Sequence, residues 1–258
     1  MVINNYKFNE QVETIKKNIR DYEFIVFNTV SIAKNLSYYW NDGYTKSFFS
    51  EIDKEIEYTN DLIYTLYRLC SSLTLVSAMY NDIGEKEKNL LGFSSNIIDL
   101  NNFIVQEDID NEDVISKKQY LYNKTISTEE IISVLLSKID VPFTRKLYFD
   151  NLSVQKEDPG FIGMLSGIDN EIKKLELNIE SVKNNSDLLK ISLYNITESY
   201  SSNNSETIKN IVEKIESELH TLYFNFEKTV GYIQTRKSEY KNMLEDLAQQ
   251  TRKIENTD

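Results

Sequence analysis

The feature that most constrains this chain is an apolar register that steps by three and four residues without a slip. It runs Phe8, Val12, Ile15, Ile19, Tyr22, Val26, Thr29, Ala33, Leu36, Trp40. A repeat near 3.5 residues puts all these side chains on one face of a long helix that packs against other helices. Phe24, Ile25, Phe27, Val30 and Ile32 widen the stripe midway, so burial on more than one side is expected there. At Asn41-Asp42-Gly43 the register stops. These residues tolerate positive φ or bond their own backbone, which suits a sharp turn. The register then resumes through Phe48, Ile52, Ile56, Thr59, Ile63, Leu66, Cys70, Leu73, Ser77 and Tyr80, with Leu62, Leu69 and Val76 beside it. Gly84 reads as the stop. A short connection makes the two helices antiparallel neighbours, with Trp40 closing the end of the first.

A second pair of patterns lies in the last hundred residues. Leu165, Ile168, Ile172, Leu175, Ile179, Val182, Ser186, Leu189, Leu193, Ile196 and Tyr200 lead into the polar break Ser201-Ser-Asn-Asn-Ser205. Ile208, Ile211, Ile215, Leu219, Leu222, Phe226, Val230, Ile233, Tyr240, Leu244, Leu247 and Ile254 follow, with Gly231 inside the pattern and fraying expected from Gln249. The middle is less regular. It reads as a solvated stretch from Glu85, a short helix over 93–105 and an acidic loop over 106–113. A helix then opens on a Ser127–Glu130 capping box, with Ile131, Val134, Leu135 and Ile139 on one face and Pro142 as its end. A small hairpin over 141–154 and a turn at Asp158-Pro159-Gly160 complete it.

The fold class is therefore all-α: a helical hairpin over 1–85, an irregular insertion over 86–160 and a second long hairpin over 161–258. The hairpins either fold back into one four-helix bundle or stack end to end. Laying Tyr39 to Ile56 on Ser202 to Leu219 sets Phe48, Ile52, Glu55 and Ile56 on Ile211, Ile215, Glu218 and Leu219. That is a weak internal repeat, or only the likeness any two amphipathic hairpins share.

Seven glycines and two prolines in 258 residues agree with long uninterrupted helices. A net charge of −12 without a basic stripe argues against a generic nucleic-acid binder and against passive adhesion to anionic membranes. The single Cys70 and single His220 leave no internal disulfide and no His/Cys zinc site; Cys70 reads as a buried inert thiol and His220 as a surface or satisfied-core histidine. Asp108, Asp110 and Glu112 are spaced like the start of a calcium loop, but position 113 is Asp where Gly is needed and position 119 is Gln. No phosphate-cradling glycine loop or nucleophile elbow occurs, so no enzyme, cofactor or metal is expected. No run approaches the roughly 18 apolar residues of a membrane span. The N-terminus lacks a secretory signal's basic-then-apolar layout.

A long amphipathic helix ending in Trp40, a turn with Gly43 and a second helix opening on Phe48 and Ile52 resemble the WXG100 superfamily, the helical hairpins of type VII secretion in Gram-positive and mycobacterial cells. The family motif is Trp-x-Gly; here Trp40-Asn41-Asp42-Gly43 carries one residue more. The resemblance covers residues 1–85. It implies a hetero- or homodimer, cytoplasmic before export and released without a cleaved signal. It also implies a C-terminal Tyr-x-x-x-Asp/Glu signal. Tyr240 meets Leu244 at that spacing, with Glu245 one position further, while Tyr223 and Glu227 match it inside a helical pattern.

The expected function is a non-catalytic helical partner, targeting factor or co-exported component of a type VII secretion pathway. It would bind a larger effector or another helical chain through an apolar helix face. Trp40, Asn41, Asp42, Gly43, Phe48 and Ile52 form the expected tip and interaction motif. The alternatives are a soluble α-helical pore-forming toxin component and an intracellular coiled-coil adaptor. In the toxin reading, the nearest apolar segment, 62–79, is interrupted by Tyr64, Arg68, Ser71, Ser72 and Thr74.

Overall fold

A computed structural model describes residues 5–91, 112–143, 145–149, 162–200 and 202–255. It is all-α with helical hairpins. Helix α1 spans Asn5–Asn35 and passes through a 3-10 turn, Leu36–Tyr38, into a two-residue strand β1, Trp40–Asn41. Helix α2 spans Thr45–Leu91, α3 Glu112–Ser137, α4 Leu165–Ser199 and α5 Ser205–Glu255, with strand β2 at Ile162–Gly163. The described residues form two compact units, each of which draws on α1, α2, α4 and α5. Both hairpins thus contribute to each core.

Unit 1 comprises residues 1–16, 66–140 and 192–213. Its core joins Phe8, Val12 and Ile15 to Leu66, Leu69, Leu73 and Val76, with Ile132, Leu136, Ile196 and Ile208. The Cys70 thiol is buried and lies 3.8 Å from the Val12 carbonyl, an inert position for a small polarisable side chain. Unit 2 comprises residues 17–65, 141–191 and 214–258. Its core joins Ile19, Tyr22, Trp40, Phe48 and Leu62 to Ile168, Leu175, Val182, Leu222 and Ile233. A two-residue antiparallel ladder pairs Trp40 with Gly163 and Asn41 with Ile162, and the Met164 N–H donates to the Tyr39 carbonyl at 2.9 Å. Nothing in the sequence pattern announces so short a ladder. Gly167 allows it to seat, because a Cβ there would lie 2.1 Å from the Tyr39 ring.

The three-and-four register decides the buried face. All ten seam positions of α1 and its extension, Phe8 through Trp40, are buried. Several local expectations fail for identifiable reasons. Phe24 and Phe27 are 65% and 70% exposed, so the widened stripe of α1 is not a second buried face. Helix α2 runs past Gly84 to Leu91, carried by the helix-favouring Glu85-Lys-Glu-Lys. Helix α3 begins at Glu112, which places 112–113 in a helix and leaves Ser127 in mid-helix, where it cannot cap. No Gly or Pro stands between Glu112 and Ser127 to stop it. The Ile131-Ile132 and Leu135-Leu136 doublets offer two registers, and the helix takes the other one. Ile132 and Leu136 are buried, while Ile131 and Val134 are exposed. Ile139 follows the helix in a tightened turn. The expected hairpin over 141–154 has no strand in its described part, 141–143 and 145–149. Its remainder, the 93–105 helix, Asp108, Asp110 and the Asp158-Pro159-Gly160 turn lie outside the described residues. The tail beyond Gln249 stays helical to Glu255.

Candidate functional site

The tip singled out in the sequence is a closed structural joint. Asp42 caps α2: its Oδ1 accepts the backbone N–H of Tyr44 at 2.8 Å and of Thr45 at 3.0 Å. The Thr45 hydroxyl returns the favour by accepting the Asp42 N–H at 2.8 Å, a reciprocal arrangement that satisfies donors at both ends of the turn. Asn41 and Gly43 are half-buried. Trp40, Phe48 and Ile52 are buried at 1%, 0% and 3% exposure, so neither aromatic of the expected motif faces solvent, while Tyr38 just before it is exposed. The Trp40 Nε1–H donates to the Tyr240 hydroxyl at 2.8 Å, which satisfies the one polar atom of the indole. Phe48 lies 5.0 Å from Trp40 and 5.6 Å from Tyr232, centroid to centroid. The Arg236 guanidinium stacks 3.9 Å above the Tyr44 ring and closes the outer side of the joint.

A polar centre of unit 2 was not singled out. Glu55 is 1% exposed on α2. Its Oε2 accepts Arg145 Nη2 at 3.0 Å and its Oε1 accepts Asn225 Nδ2 at 2.9 Å. Asn225, on α5, is fully buried. Burial pushes the Glu55 carboxyl above its ordinary range, and hydrogen bonds from Asn225 and Arg145 pull against that shift. The available signal was a glutamate standing beside an otherwise apolar seam. Glu218, its counterpart in the aligned repeat, is also buried, and burial pushes its carboxyl up to about 7.

Two apolar features remain on the outside of unit 2. A groove of about 370 Å³ runs between α1 and α2, lined by Val26, Phe27, Val30, Ile56 and Ile63, with Glu23 and Lys34 at its margin. The C-terminal part of α5 carries Leu244, Leu247 and Ile254 onward in the seam register at 41%, 50% and 67% exposure. Along α5, Tyr223 donates to Glu227 one turn on, and that bond pushes the Tyr223 hydroxyl up to about 12. His220 is exposed. Among the described residues, no three His, Cys, Asp or Glu side chains gather to hold a metal ion. No family model, curated protein or solved structure matches the chain.

Proposed function

We propose that this chain is a non-catalytic helical partner or co-exported component of a type VII secretion pathway, and that it binds another helical chain through an apolar helix face. The observation that carries this reading is the exposed continuation of the α5 seam at Leu244, Leu247 and Ile254. Every earlier seam position of that helix is buried, whereas these three face solvent in the register a second helix would complete. The exposed Phe24 and Phe27 on α1 add a second face of the same kind. The Trp40 joint then serves to hold the hairpin rigid. The test is purification of the tagged chain from its own cells, with sizing and mass spectrometry of bound chains. A stoichiometric helical protein, lost when Leu244, Leu247 and Ile254 are each changed to Asp, is the expected result. A lone monomer that is also absent from the culture medium overturns the reading.

A second reading rests on α2. Among the described residues, Thr45–Lys86 is the one stretch long and apolar enough to cross a membrane, with an 18-residue window of mean hydropathy 1.3. The window is 56% buried inside the folded chain, as a core helix would be, which favours the first reading. Leakage of dye from liposomes by the purified protein would reverse that preference.

A further inference from the structure

Residues 145–149 lie on unit 2 the way a bound peptide lies on a receptor. Arg145, Leu147 and Phe149 point inward while Lys146 and Tyr148 are exposed, the period of two of an extended strand. Yet no strand pairs with this segment. A side chain reads its backbone instead. Asn225 Oδ1 accepts the Leu147 N–H at 3.3 Å, and Asn225 Nδ2 donates to the Arg145 carbonyl at 3.1 Å. The same Nδ2 donates to Glu55, so the amide's oxygen and both its hydrogens are engaged. Glu55 fixes the arginine, whose guanidinium stands 5.7 Å from the Tyr58 ring. Leu147 is 1% exposed, and Phe149 stacks 4.8 Å from Tyr232 and 5.6 Å from Phe48.

We propose that this groove between α2 and α5 is a docking site for an extended segment of pattern Arg-x-Leu-x-Phe, and that residues 145–149 are its resident occupant, displaced when a partner protein presents the same pattern. The carboxylate decides the chemistry of the ligand. Glu55 meets Arg145 in the occupied groove, so any occupant that closes the same groove over this carboxylate must bring a cation to that position. Backbone reading by Asn225 demands an extended rather than a helical ligand. Leu147 and Phe149, buried at alternate positions, set the Leu and Phe. This inference stands independently of the secretion reading, since it concerns a different face and a differently shaped partner.

A tethered occupant scales the affinity seen by any external ligand by the fraction of time the groove stands open. Weakening the tethered segment should therefore reveal the site. The probe is a labelled synthetic peptide, Phe-Thr-Arg-Lys-Leu-Tyr-Phe-Asp-Asn, which copies the internal segment. It is titrated into the full chain, wild type and Phe149→Ala, and followed by anisotropy and by Tm. The variant is expected to bind at least about tenfold more tightly than the wild type, because its own occupancy is reduced. Bound peptide should also raise its Tm. Adding Glu55→Gln, nearly equal in shape, should weaken peptide binding by about tenfold through loss of the charge-assisted bond. A peptide with Ala in place of its arginine should lose affinity to the same degree. If Phe149→Ala does not fold, Phe149→Leu takes its place. A folded variant that ignores the peptide overturns the proposal. So does binding that is indifferent both to Glu55→Gln and to the missing arginine, because that is unspecific filling of an apolar cavity.

Discussion

Unit 1 buries Glu129 and unit 2 buries Glu55, and these two carboxylates are accommodated by different chemistry. In unit 1, Glu129 of α3 is 8% exposed and meets only neutral donors among its described hydrogen bonds. Tyr80 donates to its Oε1, and Asn204 Nδ2 donates both to its Oε2 at 2.6 Å and to its backbone carbonyl at 3.0 Å. Tyr200 stands behind, its hydroxyl 3.3 Å from that of Tyr80. In unit 2, Glu55 meets Asn225 and a full cation, Arg145. In both units an asparagine on or just before α5 joins a buried carboxylate to backbone, Asn225 to residues 145 and 147 and Asn204 to the Glu129 carbonyl. The difference lies in what each network fastens. Unit 1 ties α3, a helix whose own backbone bonds are already made. Unit 2 ties residues 145–149, which have no helix or ladder to support them, and it uses an ion pair to do so. Where secondary structure supplies the backbone partners, neutral hydrogen bonds suffice; where it does not, a charge is added.

That contrast sets the order of the expected losses. Glu55→Ala removes the partner of a buried cation-bearing contact and should cost about 3 kcal/mol, at the low end for a buried pair because Arg145 still reaches water. Urea unfolding would measure it, and a loss under 1 kcal/mol would mean that the segment is held by Leu147 and Phe149 alone. Glu129→Ala leaves the Tyr80 hydroxyl and the Asn204 amide short of an acceptor and should cost about 2 kcal/mol. If it costs more than Glu55→Ala, the contrast between the two units fails. Tyr80→Phe removes one donor and should cost about 1 kcal/mol, since a single net hydrogen bond is at stake. The smallest expected effect is a slope rather than a loss. Glu218 titrates at about 7 in the folded chain, above the ~4.3 of an unfolded glutamate. The folded state thus holds that proton more tightly, and the stability it contributes is complete below the unfolded value and lost as pH rises through about 7. Glu218→Gln should flatten the pH dependence of Tm across that interval and leave its acid end unchanged.

The helices were legible because each is organised by one long apolar register, and a register is a local property. From Ile168 to Tyr200 and from Ile208 to Ile233, every seam residue named from the spacing is buried. Helix α3 was misread because its doublets, Ile131-Ile132 and Leu135-Leu136, satisfy two registers equally. Burial of Thr128 and Glu129 chooses between them, and Glu129 is held by groups distant in sequence. Phe24 and Phe27 misled for the opposite reason: aromatic content predicted burial that no described element supplies. The network at Glu55 was out of reach because its partners lie 90 and 170 residues away and each is an ordinary polar residue on its own. What the sequence did carry was its anomaly, a glutamate against an apolar seam, repeated at Glu218. The Trp40 turn was visible as a turn, but its closure by Tyr240 and by strand β2 depends on the far end of the chain.

The position of Trp40 has a spectroscopic consequence. It is the only tryptophan in the chain, and its ring lies in unit 2 against Phe48 and Tyr232. Excited at the red edge of its absorption, where tyrosine contributes nothing, the protein emits from that unit alone. Far-ultraviolet circular dichroism sums over the helices of both. In a single melt, coincident curves would mean that the chain comes apart in one step. Curves that separate would identify which unit lets go first, with no label added.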